Sequence, residues 1–198
     1  MEYLKIKADY KYFKGRLTRT LYVKKDIKLH ELGCVLVTAF GGTFEHFFLF
    51  ETKTKSYVPK TFMEDFVGPN DLYMNDYTIS DLGDSFTFEY DTGDSWDFNV
   101  KVYKRTKEID SDNFAFIIDG VGQGIWEDNS YSLDRYLNGE ITNLNEEDDE
   151  EGIYFPWNFQ VESFADFDLP IDKEFIQEDL DTVDIDIEQY LAMKDISD

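Results

Sequence analysis

Cysteine, histidine and long apolar runs are scarce in this chain of 198 residues. Cys34 is the only cysteine, which excludes an intramolecular disulfide and a zinc site built from several thiolates. His30 and His46 are the only histidines, and no serine lies in a nucleophile-elbow pattern, so a catalytic triad is not expected. The N-terminal segment has no apolar run long enough for a signal peptide or a membrane span. We therefore expect a cytoplasmic protein with no membrane association and no cofactor.

Basic residues are also scarce, and their distribution is uneven. The chain has 43 acidic and 19 basic residues, a formal charge of −24. Residues 140–198 contain 20 acidic residues and only two basic ones, whereas lysine and arginine dominate the first 28 residues. This polarity predicts an acidic segment that covers a basic face of the same chain or that serves a charged partner. A solvated tail that only maintains solubility is the alternative.

The remaining pattern is that of an α+β protein. Alternating residues predict strands over 3–12, 17–23 and 46–52, and a hairpin of strands 85–90 and 96–103 closed by a turn rich in aspartate and glycine. Apolar residues at helical spacing predict an amphipathic helix over 29–40. A further strand is predicted over 114–118, a turn over 120–124, a short helix over 131–137 and an irregular connection over 57–76. We expect an antiparallel sheet with the amphipathic helix packed on one face.

The acidic C-terminal part is predicted to be an extension of this core. Six consecutive carboxylates, 146–151, indicate a linker or exposed loop. Aromatic residues follow them, and two further segments have helical spacing, with Asp172 and either Asp184 or Asp186 as N-caps. A purely solvating tail does not require apolar side chains. We therefore predict a core domain over 1–139 and an acidic, aromatic-rich extension over 140–198 that docks on it.

Carboxylates around the hairpin turn are the strongest chemical signal. Asp91, Asp94 and Asp97 could bind magnesium or calcium together with Glu127 and Asp128. The spacing is not that of an EF-hand, and aspartates at turns commonly bond their own backbone. His46 could join these carboxylates in a hydrogen-bond network, although a structural histidine is the simpler interpretation.

Three stretches resemble the plasmid pRiA4b ORF-3-like family, also described as TnpR-like passenger proteins of insertion elements. They are 16–50, the hairpin segment 88–97 and the segment 118–128, within a resemblance that covers about residues 3–138. The resemblance implies an α+β fold and association with mobile elements, but no established chemistry. The family commonly has histidines where this chain has Gly33, Phe48 and Phe98, and only His46 matches. A histidine-dependent site is therefore not expected from the resemblance.

The sequence favours a non-enzymatic interaction module that binds a protein partner. Lysines and arginines mixed with aromatic residues in the N-terminal strands open a second possibility, single-stranded nucleic acid. The net charge argues against nucleic acid for the full chain but not for the core domain, if the acidic part masks a basic face. A metal-dependent hydrolase that uses the hairpin carboxylates is the third possibility. The predicted interaction surface comprises His46, Tyr90, Asp91, Gly93, Asp94, Trp96, Trp126, Glu127 and Asp128.

Overall fold

A computed structural model describes residues 1–59, 68–141 and 164–195, and its dominant element is one sheet of eight strands. The strands lie side by side in the order β5-β4-β3-β6-β7-β1-β2-β8. All neighbours are antiparallel except β4 and β5. The strands are β1 Glu2–Tyr10, β2 Thr18–Lys24, β3 Phe48–Glu51, β4 Ser56–Val58, β5 Asp71–Tyr73, β6 Ser85–Tyr90, β7 Trp96–Glu108 and β8 Ala115–Val121.

Four α-helices accompany the sheet in the described ranges, which confirms the predicted α+β class. They are α1 Leu29–Phe40, α2 Ser130–Leu137, α3 Lys173–Asp181 and α4 Val183–Asp195. The predicted helix over 29–40 is confirmed to the residue. It begins where Glu31 accepts a hydrogen bond from the Lys28 amide at 2.8 Å and ends at Gly41, whose φ of 76° a left-handed helix cap requires. None of the helices in these ranges is long and apolar enough to cross a membrane.

Among the residues that the structure describes, the helices cover one face of the sheet and leave the other face open. Side chains at alternate positions, such as Ile6, Ala8 and Leu21, are fully buried and pack with α1 in a single core. Helices α3 and α4 lie on this same side, because Ile176, Leu180 and Tyr190 belong to that core. The other face, which we call the open face, carries the intervening residues of β1, β2, β7 and β8.

The extension touches the rest of the chain through specific contacts. Phe167 is fully buried and packs edge-on against Trp126 with ring centroids 6.0 Å apart. The Tyr190 ring stacks on Phe48 at 4.6 Å. The Arg16 guanidinium donates to Asp168 at 2.9 Å. The described part of the extension therefore covers the helix side of the sheet and does not lie on the open face.

Several local predictions needed correction. The connection over 57–76 was predicted to be irregular, but it contains β4 and β5, which are too short to give an alternating pattern. The predicted turn over 120–124 begins inside β8. Asp172 caps α3 as predicted, accepting from the amides of Glu174 and Phe175. Neither Asp184 nor Asp186 is an N-cap, because α4 begins at Val183 and both lie in its first turn. The acidic run 146–151 lies outside the described residues.

Candidate metal centre

Three connections that are far apart in sequence meet at one end of the sheet, next to the C-terminus of α1. His46 precedes β3, Asp91 follows β6, and Glu127 and Asp128 lie between β8 and α2. We call these four residues the His46 cluster. Backbone hydrogen bonds hold the connections together: the Asp91 amide donates to the Phe47 carbonyl at 2.9 Å, and the Ile125 amide donates to the Phe40 carbonyl at 3.0 Å. Their side chains therefore converge because the sheet register and the end of α1 fix the backbone.

The imidazole of His46 lies between two aspartates. Its Nδ1 atom is 3.5 Å from Asp91 Oδ1, and its Nε2 atom is 2.9 Å from Asp128 Oδ1. Glu127 Oε1 is 3.9 Å from Nε2. The Nε2 atom is buried and no described group makes a well-aligned hydrogen bond to it, so the short approach of Asp128 is a contact without hydrogen-bond geometry.

The spacing of these atoms is close to that of a coordination shell. One ligand atom each from His46, Asp91 and Asp128 lies within 4.8 Å of the other two. Ligands about 2.1 Å from an ion are about 3 Å apart when adjacent and about 4.2 Å apart when opposite. The separations of up to 4.8 Å exceed these values, so an ion would draw the three side chains closer together. No other histidine–carboxylate group of this kind occurs among the described residues.

Glu127 is held beside the imidazole as a second layer of the cluster. The Tyr90 hydroxyl donates to Glu127 Oε1, and the Thr43 amide donates to Oε2 at 3.2 Å. The pKa of Glu127 is raised above its ordinary value, because the effect of burial exceeds the lowering by the two hydrogen-bond donors. Burial, together with the nearby Glu127 charge, raises the pKa of Tyr90, which keeps its hydroxyl a donor. This arrangement fixes Glu127 and leaves His46 and Asp128 nearer to solvent.

The backbone of this corner is unusual. The non-glycine residues with positive φ in the described ranges are Phe44, Asp91, Ser95 and Asp128, with φ between 54° and 65°. All four lie in the connections that form the His46 cluster. A left-handed conformation costs free energy for residues other than glycine and persists where the surroundings impose it, frequently at functional sites. The surrounding connections thus impose the backbone conformation of the two aspartates of the cluster.

The three aspartates singled out at the hairpin turn have separate partners. Asp91 joins His46 and also accepts the Gly93 amide at 3.0 Å. Asp94 accepts the Ser130 amide at 2.8 Å and so holds the start of α2. Asp97 accepts Lys11 Nζ at 2.7 Å and the Tyr12 hydroxyl at 3.0 Å. The structure therefore brings Asp91, and neither Asp94 nor Asp97, together with His46 and Asp128.

The predicted interaction surface divides into exposed and buried members. Tyr90, Trp96 and Trp126 are almost completely buried and pack this corner. Gly93 and Asp128 are exposed, and His46 and Asp94 are partly exposed. The aromatic residues of the hairpin motif thus have a packing role in this fold. Asp91 and Glu127 are also buried, so the side chains of the His46 cluster that reach solvent are those of His46 and Asp128.

Comparisons with known proteins agree with the fold. A family model described as "Plasmid pRiA4b ORF-3-like protein" matches residues 2–168, a range that extends beyond residue 139. A crystal structure of a protein of unknown function from Methanosarcina mazei Go1 superposes with a TM-score of 0.60 at 15% sequence identity. That similarity covers 78% of this chain and 94% of the archaeal chain. Among curated proteins, none matches the chain significantly.

Proposed function

Because this chain belongs to the plasmid pRiA4b ORF-3-like family, whose description names no activity, we propose a function from the geometry of the His46 cluster. The protein is a divalent-cation-binding interaction module in which His46, Asp91 and Asp128 hold the ion. The observation that carries this proposal is the convergence of these three ligand atoms within 4.8 Å. The TnpR-like relation and the association with mobile elements stay predictions from the sequence.

The ligand chemistry favours zinc or manganese over magnesium and calcium. Magnesium and calcium prefer oxygen-only shells, whereas an imidazole nitrogen with carboxylate oxygens suits zinc, and carboxylates suit manganese. Three ligands come from three connections, so an ion would cross-link the start of β3, the hairpin turn and the entry to α2. Such an ion stabilises the loops of this corner and fixes the shape that a partner contacts.

A thermal-shift experiment on the full chain tests the cation site. The protein is treated with a chelator, desalted and melted with zinc, manganese, magnesium or calcium. We expect zinc or manganese to raise Tm, because an ion at 100 times its Kd stabilises the folded state by about 2.7 kcal/mol. Asp128→Asn should abolish most of the shift. Asparagine removes the charge but tolerates the left-handed backbone at this position.

The matched control is Asp119→Asn, because Asp119 is an exposed aspartate on β8 away from the cluster. This control is needed because a chain of charge −24 attracts cations nonspecifically. We expect the Asp119→Asn variant to keep the full shift. Equal losses in both variants, or no shift with any of the four ions, would show that His46 is a structural histidine held by ion pairs alone.

Hydrolysis is a second candidate function, favoured by one observation. Three protein ligands leave coordination positions for water, and Glu127 lies 3.9 Å from His46 Nε2 as a possible proton acceptor. The assay is turnover of bis(p-nitrophenyl) phosphate by the zinc- or manganese-loaded protein. Activity that disappears in both Asp128→Asn and Glu127→Gln supports a hydrolase. Metal binding without turnover supports the non-enzymatic module.

A further inference from the structure

The open face of the sheet carries a row of aromatic and cationic side chains that is independent of the His46 cluster. Tyr22 lies opposite Lys5 across the β1–β2 pair. Lys5 lies opposite Tyr103 across β1–β7, and Tyr22 lies opposite Phe116 across β2–β8. Paired residues of antiparallel strands share a face. One row of side chains therefore crosses the four adjacent strands β8, β2, β1 and β7, and it consists of Phe116, Tyr22, Lys5 and Tyr103.

Four lysines lie over aromatic rings on this face of the sheet. Lys107 lies 4.8 Å from the centroid of the Tyr22 ring, and Lys5 and Lys101 lie 5.4 and 5.2 Å from that of Tyr103. Lys24 lies 4.1 Å from the centroid of the Phe114 ring. None of these lysines forms an ion pair within the described ranges. In a chain with 43 acidic residues and 19 basic ones, such a group of unpaired lysines indicates an anionic ligand.

The acidic residues in the described part of the extension do not cancel this local charge. The described part of the extension packs on the other side of the sheet, where α3 and α4 belong to the core. At physiological salt, solvent-exposed charges more than about 8 Å apart are largely screened, and a helix with its side chains is about 10–12 Å across. A ligand on the open face therefore experiences mainly the charges of that face, which include Asp119 opposite Thr20 as well as these lysines.

We propose that the open face binds single-stranded nucleic acid, with bases stacked on Tyr22 and Tyr103 and phosphates bound by Lys5, Lys101 and Lys107. Four strands spaced by about 4.8 Å give a platform about 14 Å wide, enough for two or three unstacked bases. Stacking on aromatic rings requires exposed base faces, which a duplex does not offer. The lysines now over the rings would move to the phosphates. The sequence had indicated aromatic residues of the first strands, but Tyr3 and Tyr10 are buried, and β7 and β8 supply the other rings.

The test is fluorescence anisotropy of the full chain with fluorescein-labelled dT12 and rU12, titrated over salt. We expect saturable binding of the single strands and weaker binding of a 12-base-pair duplex. Tyr22→Ala and Tyr103→Ala should each weaken binding by about 5- to 150-fold, the value of one base–aromatic stack. Lys101→Ala and Lys107→Ala should each lower the slope of log affinity against log salt by about 0.7.

Two matched controls locate the binding. Tyr131→Ala removes a tyrosine that is 71% exposed on α2, and Lys55→Ala removes an exposed lysine between β3 and β4. Both should leave the affinity unchanged, as should Asp128→Asn, which separates this proposal from the cation site. No binding of dT12 or rU12 at low salt would overturn the proposal. Full competition by poly-L-glutamate, with unchanged binding by the tyrosine variants, would also overturn it and identify an acidic protein segment as the occupant.

Discussion

Gly33 and Phe48 illustrate how one residue without a side chain determines the packing of another. A Cβ atom at Gly33, in the middle of α1, would lie 1.9 Å from Cε2 of the Phe48 ring. That ring cannot move aside, because it stacks on Tyr190 at 4.6 Å and also contacts Phe50 and Phe88. The resemblance to the family places histidines at positions 33 and 48. Here a glycine and a phenylalanine fill the same space with an apolar contact.

Gly33→Ala is expected to destabilise the protein. Helix propensity alone predicts a gain of about 1 kcal/mol when glycine in a helix becomes alanine. Overpacking against an immobile ring costs typically about 1–3 kcal/mol and outweighs this gain. Urea unfolding measures the difference. In the background of Phe48→Leu, which removes the ring, Gly33→Ala should cost less. A more stable Gly33→Ala single variant would contradict the packing argument.

The burial of Arg19 could not be predicted from the sequence pattern. In the sequence it belongs to the basic N-terminal segment, but it is fully buried and donates to the carbonyls of Ala39, Thr18, Val121 and Gly122. Burial lowers the pKa of its guanidinium to about 9. Its main partners are about 20 and 100 residues away. No local pattern distinguishes such a buried arginine from the exposed lysines around it.

The sequence identified each residue of the candidate site, but it did not predict which of the candidate residues lie together in the structure. His46, Asp91, Glu127 and Asp128 were all singled out in the sequence. Asp94 lies in the same turn as Asp91, and Asp97 lies at the start of β7, yet these two aspartates bond Ser130 and Lys11. The difference comes from the backbone direction within the hairpin and from segments that approach it from elsewhere. Only the tertiary structure determines which carboxylate faces the imidazole.

At the scale of elements, the length of a strand or helix determines whether the sequence pattern predicts it. The strands β1, β2, β6 and β7 and the helix α1 were predicted because each contains several periods of its pattern. The strands β4 and β5 have three residues each, too few for a period. Their parallel pairing joins segments across a long connection. Tertiary contacts therefore create these two strands.

Helix α3 also protects the free edge of the sheet. β8 is an edge strand, and the Gln177 side chain forms two hydrogen bonds with its free edge. The Ile117 amide donates to Gln177 Oε1 at 3.0 Å, and Gln177 Nε2 donates to the Ala115 carbonyl at 3.3 Å. A side-chain amide thus takes the place of a neighbouring strand. Covering an edge in this way prevents pairing with other chains. The extension contributes to the sheet itself as well as to the core.

Asp186 on α4 is expected to weaken the docking of the extension at neutral pH. Burial, and then the charges of Asp179 and Asp184, raise the pKa of Asp186, and burial raises that of Asp179. The folded state thus binds a proton at Asp186 more readily than the unfolded chain does. Protonation of Asp186 therefore stabilises the folded protein fully below the unperturbed pKa of 3.8, and this stabilisation is lost as pH rises through the folded pKa. Asp186→Asn should therefore raise Tm at pH 7, and the difference should narrow as pH falls toward 4.

Glu188→Gln is the control for this prediction. Glu188 is an exposed residue on the same helix. Its substitution changes the net charge by the same amount as Asp186→Asn, but it does not remove a charge from a partly buried position. We expect little change in its Tm at either pH. An equal increase in both variants would show that general charge repulsion, and not the environment of Asp186, limits stability.

At the scale of the whole molecule, charge is segregated between the two sides of the sheet. Lysines that form no ion pair with a described residue lie on the open face, and the described part of the acidic extension packs on the helix side. The apolar residues predicted in the extension explain this placement, because Phe167, Ile176 and Tyr190 are buried in the common core. A tail that served only solubility would leave them exposed. The division into a core of 1–139 and an extension of 140–198 stays a prediction, which truncation can test.

Truncation after Gly139 is expected to leave a core domain with an exposed apolar surface. It removes six side chains that are at most 6% exposed: Phe167, Ile176, Leu180, Val183, Ile187 and Tyr190. Their loss uncovers Phe48 and Trp126 and leaves the β8 edge unprotected. The fragment should bind the apolar dye ANS, elute as oligomers in size-exclusion chromatography and unfold at a lower temperature.

Loss of charge must be separated from loss of packing in this experiment. The fragment has 23 acidic and 17 basic residues, so it is far less negative than the full chain and could associate for that reason alone. The full-length double variant Phe167→Ala, Tyr190→Ala keeps every charge and removes two of the buried rings. If this variant also binds ANS and melts earlier, apolar docking holds the extension in place. If the fragment is monomeric and as stable as the full chain, the core is complete without the extension, and residues 140–198 must serve another surface.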